Sequence, residues 1–437
     1  MGLATAASLA LAAGLALAWP TAPDQPVTVH HLPDSPTVEA QLHHQLAADG
    51  EADFWVYLRA EPQLDPAAGI SDWAAQGHFV HDELTRTAAR SQEGLLTLLD
   101  AAGVDYDAYW IANTVRVTGD RQLLEQILTL PEVAQVTADR EYQIQPATPA
   151  EAVPARDGIE WNVQDIEAPR VWDEFATTGE GIVVGVIDTG AQFDHPALVE
   201  QYRGNLGNGR FDHNYHWHDP SQVCADPVPC DNMGHGTHVT GTIVGDDGGD
   251  NRIGVAPGAQ WIAAKGCEAQ NCSKAALLSA GQFMLAPTDL AGENPDPARR
   301  PHVVNNSWGG DPTTDPWYQP MVQAWIAAGI FPQFSSGNTL IGIAPCGSAS
   351  NPGNLPETYT AGAYDSNGNI AAFSNRGPSA WGSDMVKPNI AAPGVAIRSA
   401  DIGNNYSTRD GTSMASPHVA GVVALMWSAA IPLQRDL

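Results

Sequence analysis

The chain has 437 residues, with 50 acidic against 20 basic side chains and a formal net charge of −30. That balance, with only three lysines (Lys265, Lys274 and Lys387), argues against nucleic-acid binding, which needs a basic surface. An apolar share of 43% and 42 glycines exclude a disordered chain and leave room for two or three globular domains.

Residues 1–18 are almost wholly apolar and alanine-rich, and Ala16-Leu17-Ala18 offers an A-x-A cleavage site before Trp19. This predicts a secretory signal peptide and a secreted, extracellular protein. The basic start of such a peptide is missing, so the true start is expected upstream. A membrane anchor is the competing reading, at the lower length limit for a bilayer span. No other segment is apolar enough to cross a membrane. Residues 19–38 are Pro-rich and polar, a linker.

Residues 39–146 carry a second compact pattern. Positions 54–58 alternate as a strand does, and 82–102 form a polar helix with Leu84, Leu95, Leu96, Leu98 and Leu99. One or two strands follow at 109–117, a short helix at 123–130 and a last strand at 133–137. Strand, helix, strand, strand, helix, strand is the ferredoxin-like α+β order. A Pro/Ala-rich linker at 147–160 separates this unit from residues 161–437.

The remaining segment reads as α/β. Ile182-Val183-Val184-Gly185-Val186-Ile187 is a β-branched run that ends in Asp188-Thr189-Gly190. It predicts a buried parallel strand with an acid at its carboxyl end, where open α/β sheets bind ligands. Gly234-His235-Gly236-Thr237-His238 sets a histidine between glycines at a helix start. Val303-Val304-Asn305-Asn306-Ser307-Trp308-Gly309 and Phe334-Ser335-Ser336-Gly337-Asn338 are short strands ending in polar residues and glycine. Gly411-Thr412-Ser413-Met414-Ala415 places a serine at the start of a helix, whose unpaired N–H groups and positive dipole end suit an anion.

A serine hydroxyl is a poor nucleophile without a base and fixed oxyanion donors. His235 as base and Asp188 as its orienting partner complete that set. Each element has a plainer reading alone. Asp188-Thr189-Gly190 is half of an aspartic-protease signature, His235 with His238 a metal pair or loop, and Ser413 a helix cap. No second Asp-Thr-Gly or Asp-Ser-Gly loop occurs, and the three elements in this order support a triad.

The order Asp188, His235, Ser413 is that of subtilisin, and from about Trp161 to near its end the chain resembles the subtilisin-like serine proteases. The three motifs carry the resemblance. Asn305-Asn306-Ser307-Trp308-Gly309 is similar to the family's substrate-binding strand and Ser336-Gly337-Asn338 to its oxyanion segment. Pro287-Thr288-Asp289-Leu290 and Asn294-Pro295-Asp296-Pro297, in a Trp-rich chain, are similar to bacillopeptidase F-type members.

The resemblance implies a parallel sheet flanked by helices and hydrolysis of peptide bonds through an acyl-enzyme. It implies Asn338 and the Ser413 N–H as oxyanion donors. Ser307, Trp308, Gly309, Ser336 and Gly337 would wall the substrate cleft, with Ser350 near its floor. No charge is evident there, so an apolar or broad preference is expected. Protein or peptide substrates are the implied partners, and no cofactor is implied for catalysis. Residues 39–146 would be an inhibitory propeptide acting on its own chain, cut within about 143–160. The alternative is a weak or inactive fragment that only binds peptides or this propeptide.

All five cysteines lie beyond residue 160, and in an exported protein disulfides are the default. Local pairing of Cys224 with Cys230 and Cys267 with Cys272 leaves Cys346. Its place near the expected pocket keeps another pairing open. No C-x₂-C spacing points to zinc, and His213, His216 and His218 read as surface-loop histidines or a metal contact. Structural calcium stays open. Where the family's best-known site takes a carboxylate this chain has Ala197, and the oxygen-rich stretch 246–251 is either a second site or a solvated turn. Only residues 431–437 come after the last helix. Relatives continue further, so Leu425, Met426 and Trp427 are expected to be exposed by truncation, unless the domain closes differently.

Overall fold

The computed structural model describes residues 35–144, 148–151, 158–225 and 227–430. The expected signal peptide and nearly all of the first linker lie outside the described residues.

A seven-stranded sheet forms the centre of the larger unit. Its strands run in the order Ile390–Pro393, Tyr359–Tyr364, Phe331–Ser335, Val303–Asn306, Val183–Asp188, Gln260–Lys265 and Trp217–His218, all parallel. Every position of Val183–Asp188 is buried, because helices cover both faces and no alternation with polar residues is needed. Val184 and Val186 pack with Val239, Ile243 and Ala420, from the helices His235–Val244 and Thr412–Ala429. Val183 and Ile187 point the other way, into a cluster with Leu277, Met284 and Trp325, from the helices Lys274–Leu285 and Gln319–Ala327. This alternation follows from the period of two along a strand.

The smaller unit is a five-stranded sheet ordered Thr37–Val38, Val133–Ala138, Glu51–Leu58, Thr114–Asp120 and Tyr106–Tyr109. Its last four strands have the 4-1-3-2 antiparallel arrangement of a ferredoxin-like unit, as the element order predicts. The expected stretch at 109–117 is two strands. The helix expected from residue 82 begins at Trp73, where the Asp72 carboxylate accepts the Ala75 N–H at 2.8 Å, and it runs to Ala102. The strand Thr37–Val38 and the helix Ala40–Asp49 were not anticipated from the pattern.

The strand Glu51–Leu58 is apolar on both faces for a reason visible only in three dimensions. Phe54 and Val56 enter the unit's own core, while Trp55 joins the core cluster of the larger unit. There Trp55 and Tyr57 stand 4.9 and 5.0 Å from the Lys274 ammonium, with Trp317 at 5.4 Å. Burial pushes the Lys274 ammonium down to about 8. A second buried cation, Arg300, lies 3.6 Å from the Trp73 ring.

Two expectations are corrected here. Leu425 and Trp427 are buried, at 2% and 5% exposure, and only Met426 is exposed. Trp427 packs edge-on against Phe331 from the sheet. The three histidines of the 213–218 tract are not exposed loop residues. His213 meets the Tyr202 hydroxyl, His216 the Asp212 carbonyl and His218 the Ser279 hydroxyl, at 2.9, 2.9 and 2.8 Å.

Candidate active site

Asp188 closes a central strand, and its carboxylate is buried. Oδ1 accepts the Thr189 N–H at 2.8 Å and lies 2.7 Å from His235 Nδ1. His235 is the first residue of its helix, following Gly234. The approach of strand end to helix start leaves no space for side chains on the backbone between them. A Cβ on Gly236 would lie 2.0 Å from the Gly190 carbonyl, and one on Gly190 (φ 101°) would lie 1.9 Å from the Cys230 carbonyl. Asp231 holds the helix start. Its carboxylate accepts the N–H groups of Met233, Gly234 and Thr237 and the Thr237 hydroxyl. His235 Nε2 is buried and has no hydrogen-bond partner among the described residues.

Ser413 is the second residue of the helix Thr412–Ala429. Its hydroxyl donates to the Ser307 carbonyl at 3.1 Å rather than to His235. Asn338 accepts from both the backbone N–H and the hydroxyl of Thr412, each at 2.9 Å. Those two bonds fix the amide side chain beside the serine. A shallow cleft runs between Ser307, Trp308, Gly309, Ser335, Gly337, Asn338, Thr412 and Ser413. The structure therefore brings together Asp188 with His235, and Ser413 with Asn338, Ser307, Trp308, Gly309 and Gly337. Ser336 is buried beside the cleft, with its N–H on the Ala361 carbonyl; Ser335 and Thr412 take lining positions. Ser350 is buried against Gly337 and Gly309. Its hydroxyl accepts from Asn375 Nδ2 at 3.2 Å and would be 2.0 Å from a Cβ on Gly337.

Sequence reasoning missed three residues that build this site: Thr412, Asp231 and Lys265. Lys265 is fully buried and donates to the Thr189 carbonyl at 2.8 Å and to Asn232 Oδ1 at 2.9 Å. It thus ties the turn after Asp188 to the loop before His235. A lysine ending an apolar strand, level with Asp188 in the neighbouring strand, was the available signal.

The chain's own residues line up along the cleft. The strand Glu141–Gln143 runs antiparallel to Asn271–Ser273. Gln143 and Gly309 exchange both backbone hydrogen bonds, at 3.0 and 3.1 Å, and Ile144 donates to the Gln270 carbonyl at 2.9 Å. The Tyr142 ring stacks on Trp317 at 4.3 Å. Further along, Thr148–Pro149 pairs with the strand Asn405–Asp410, which leads into Ser413. Residues 141–144 thus pair with Asn271–Ser273 and Gly309, and residues 148–149 with the strand that precedes Ser413.

Two disulfides join Cys224 to Cys230 and Cys267 to Cys272, and Cys346 is free and exposed. At the positions where calcium was expected, Ala197 is buried and has no side-chain oxygen, and the Asp247 carboxylate accepts from Gly249 N–H and from the Asn251 side chain. Among the described residues no group of three His, Cys, Asp or Glu side chains converges as a metal site.

A model of the subtilase family matches residues 179–434. Bacillopeptidase F of Bacillus subtilis (strain 168) is 44% identical over 374 residues, which is 82% of this chain but 26% of that protein. The chain thus spans about a quarter of that relative's length. Subtilisin Savinase of Lederbergia lenta is 32% identical over 268 residues, 61% of this chain and 84% of that protein. Subtilisin E of Bacillus subtilis (strain 168) is 28% identical over 369 residues, 83% of this chain and 82% of that protein.

Proposed function

The chain belongs to the subtilase family, and from that membership we propose that it is the precursor of a secreted serine endopeptidase. The observation that carries the reading is the buried 2.7 Å contact of His235 Nδ1 with Asp188 Oδ1, which leaves Nε2 bare. With Nδ1 donating to the carboxylate, Nε2 is the basic nitrogen. Rotation of the Ser413 side chain away from the Ser307 carbonyl would deliver its proton to Nε2 as the oxygen attacks a peptide carbonyl. Asp188 would stabilise the imidazolium, which then protonates the leaving amine. The Asn338 amide and the helix-start N–H of Ser413 would hold the oxyanion. Water would release the acyl group by the same steps.

The smaller unit is proposed as the inhibitory propeptide. It covers the start of the helix Lys274–Leu285 through Trp55 and Tyr57, and its last strand pairs with the cleft backbone as an extended substrate would. Cleavage within about 143–160 would release it. The apolar start of the chain and its two disulfides support export. Among the described residues no helix is long and apolar enough to cross a membrane. Substrates are proposed to be proteins. The residues that line the cleft carry no charge, which supports an apolar or broad preference before the scissile bond.

One observation favours the binding-only alternative: Ser413 Oγ rests on Ser307, not on His235. Expression of the chain and its Ser413→Ala form separates the two. Casein hydrolysis by the first alone, with a new N-terminus within 143–160, supports the enzyme. No hydrolysis by either, or a mature form beginning before residue 140, contradicts the proposal.

A further inference from the structure

We propose that the Cys267–Cys272 disulfide is a positioning device for extended substrates, anchoring the strand that receives them to the backbone of the catalytic acid. The inference rests on the proposed function of the cleft. Cys267 donates its N–H to the Asp188 carbonyl at 3.1 Å. Cys272 is the middle residue of Asn271–Ser273, opposite Tyr142 in the antiparallel pair. Between the two cysteines, Glu268 and Asn271 exchange both backbone hydrogen bonds, at 2.7 and 3.0 Å. They close a turn in which Ala269 takes a φ of 49°. Gln270, at its tip, receives the Ile144 N–H. Every backbone group that meets the cleft segment on this side therefore lies inside the disulfide ring or next to it.

The receiving strand needs such an anchor. It has three residues, and among the described residues its one sheet partner is Glu141–Gln143. A strand this short, with no sheet behind it, has little register of its own. Its far end is fixed because Ser273 caps the next helix, accepting the Ala276 N–H at 3.1 Å. Its near end is joined to the central sheet by the disulfide and by the chain through the 268–271 turn. Both cysteines are buried in the core cluster that holds Ile187 and Leu277. Serines there would bury two hydroxyls, so the amides of Val303–Asn306 serve as the control for a general loss of packing. A covalent tie restricts the loop's alternatives when the cleft is empty, and pre-ordering a receiving strand lowers the cost of binding.

The test is the Cys267→Ser/Cys272→Ser double variant, read in two ways. The first uses the full chain with Ser413→Ala, which holds the cleft segment uncut. Hydrogen exchange at the Ile144 amide should quicken about tenfold, the loss of roughly one net backbone hydrogen bond, while amides of Val303–Asn306 keep their protection. The second uses the processed enzyme. kcat/KM for a tetrapeptide amide should fall about tenfold through KM, with a single-residue ester hydrolysed as before. Unchanged Ile144 exchange, uniform loss of protection, or equal losses on both substrates would overturn the proposal. A wild-type chain without hydrolytic activity would defeat the proposed function instead, and the exchange result would still decide this inference.

Discussion

Ser307 and Ser413 hold each other: the Ser413 hydroxyl donates to the Ser307 carbonyl at 3.1 Å, and the Ser307 hydroxyl donates to the Ser413 carbonyl at 3.0 Å. This pair joins the wall of the cleft to the start of the helix Thr412–Ala429. It also sets the resting rotamer of Ser413 away from His235. The Ser307 hydroxyl has a second tie, accepting from Asn305 Nδ2 at 3.0 Å.

Ser307→Ala removes both side-chain bonds and leaves a buried amide donor and a carbonyl unpaired. A loss of about 1–3 kcal/mol in unfolding free energy is expected, together with a lower kcat as the helix start loses its fixed position. Urea unfolding and peptide hydrolysis on the same preparation check this. Full stability with full activity would count against the pair as a positioning element.

Asn338→Asp keeps the oxygen that Thr412 grips, with bonds of 2.9 Å from both its N–H and its hydroxyl. It removes the amide donor. Turnover should fall roughly 10²–10³-fold with KM nearly unchanged, as for loss of one oxyanion donor. A KM effect without a kcat effect would assign Asn338 to ground-state binding.

Burial pushes His218, His302 and His418 down to about 4. The unfolded chain, with ordinary histidines, then binds more protons than the folded one between about pH 6.5 and 4. Stability is therefore present above this window and lost as pH falls through it. His418 is held as a neutral ring between the Asn162 side chain and the Met414 carbonyl, each at 2.7 Å. Urea midpoints measured at pH 7 and pH 4 should differ by less in His418→Asn than in the parent chain.

Lys274 has the opposite chemistry and the same sign. Its pKa is lowered by burial to about 8, with Asp315 and Asp139 opposing that shift and Arg140 adding to it. The unfolded lysine titrates near 10.5, so the unfolded state binds more protons between the two values, and stability rises with pH across that window. The rings of Trp55, Tyr57 and Trp317 offset part of the desolvation. In Ser413→Ala chains, stability at pH 10 relative to pH 8 should rise less when Lys274→Met is added. An identical rise would show that other groups cause it.

The site was more legible in the sequence than the surfaces around it. Asp188, His235, Ser413 and Asn338 each stand in a local motif, because close backbone approach forces glycines such as Gly190 and Gly236 beside them. The ferredoxin-like order was legible for the same local reason, in alternation and helical spacing. Trp55, Trp73, Lys274 and Arg300 were not. Their roles depend on pairs more than 200 residues apart, such as Trp73 with Arg300, which no local pattern encodes. Leu425 and Trp427 were misjudged because their exposure was argued from the shortness of the chain after the last helix, whereas the central sheet already covers them. Thr412 and Asp231 escaped notice because a capping or bracing role is common for such residues and carries no signature of its own.

The proposed function requires Asp188 and His235 to make the Ser413 hydroxyl a nucleophile. The most direct test is covalent labelling of the processed chain by phenylmethylsulfonyl fluoride, located by peptide mass spectrometry. A single sulfonyl adduct on Ser413 that is lost in His235→Ala is expected. No adduct, or one that forms equally well in His235→Ala, would contradict it.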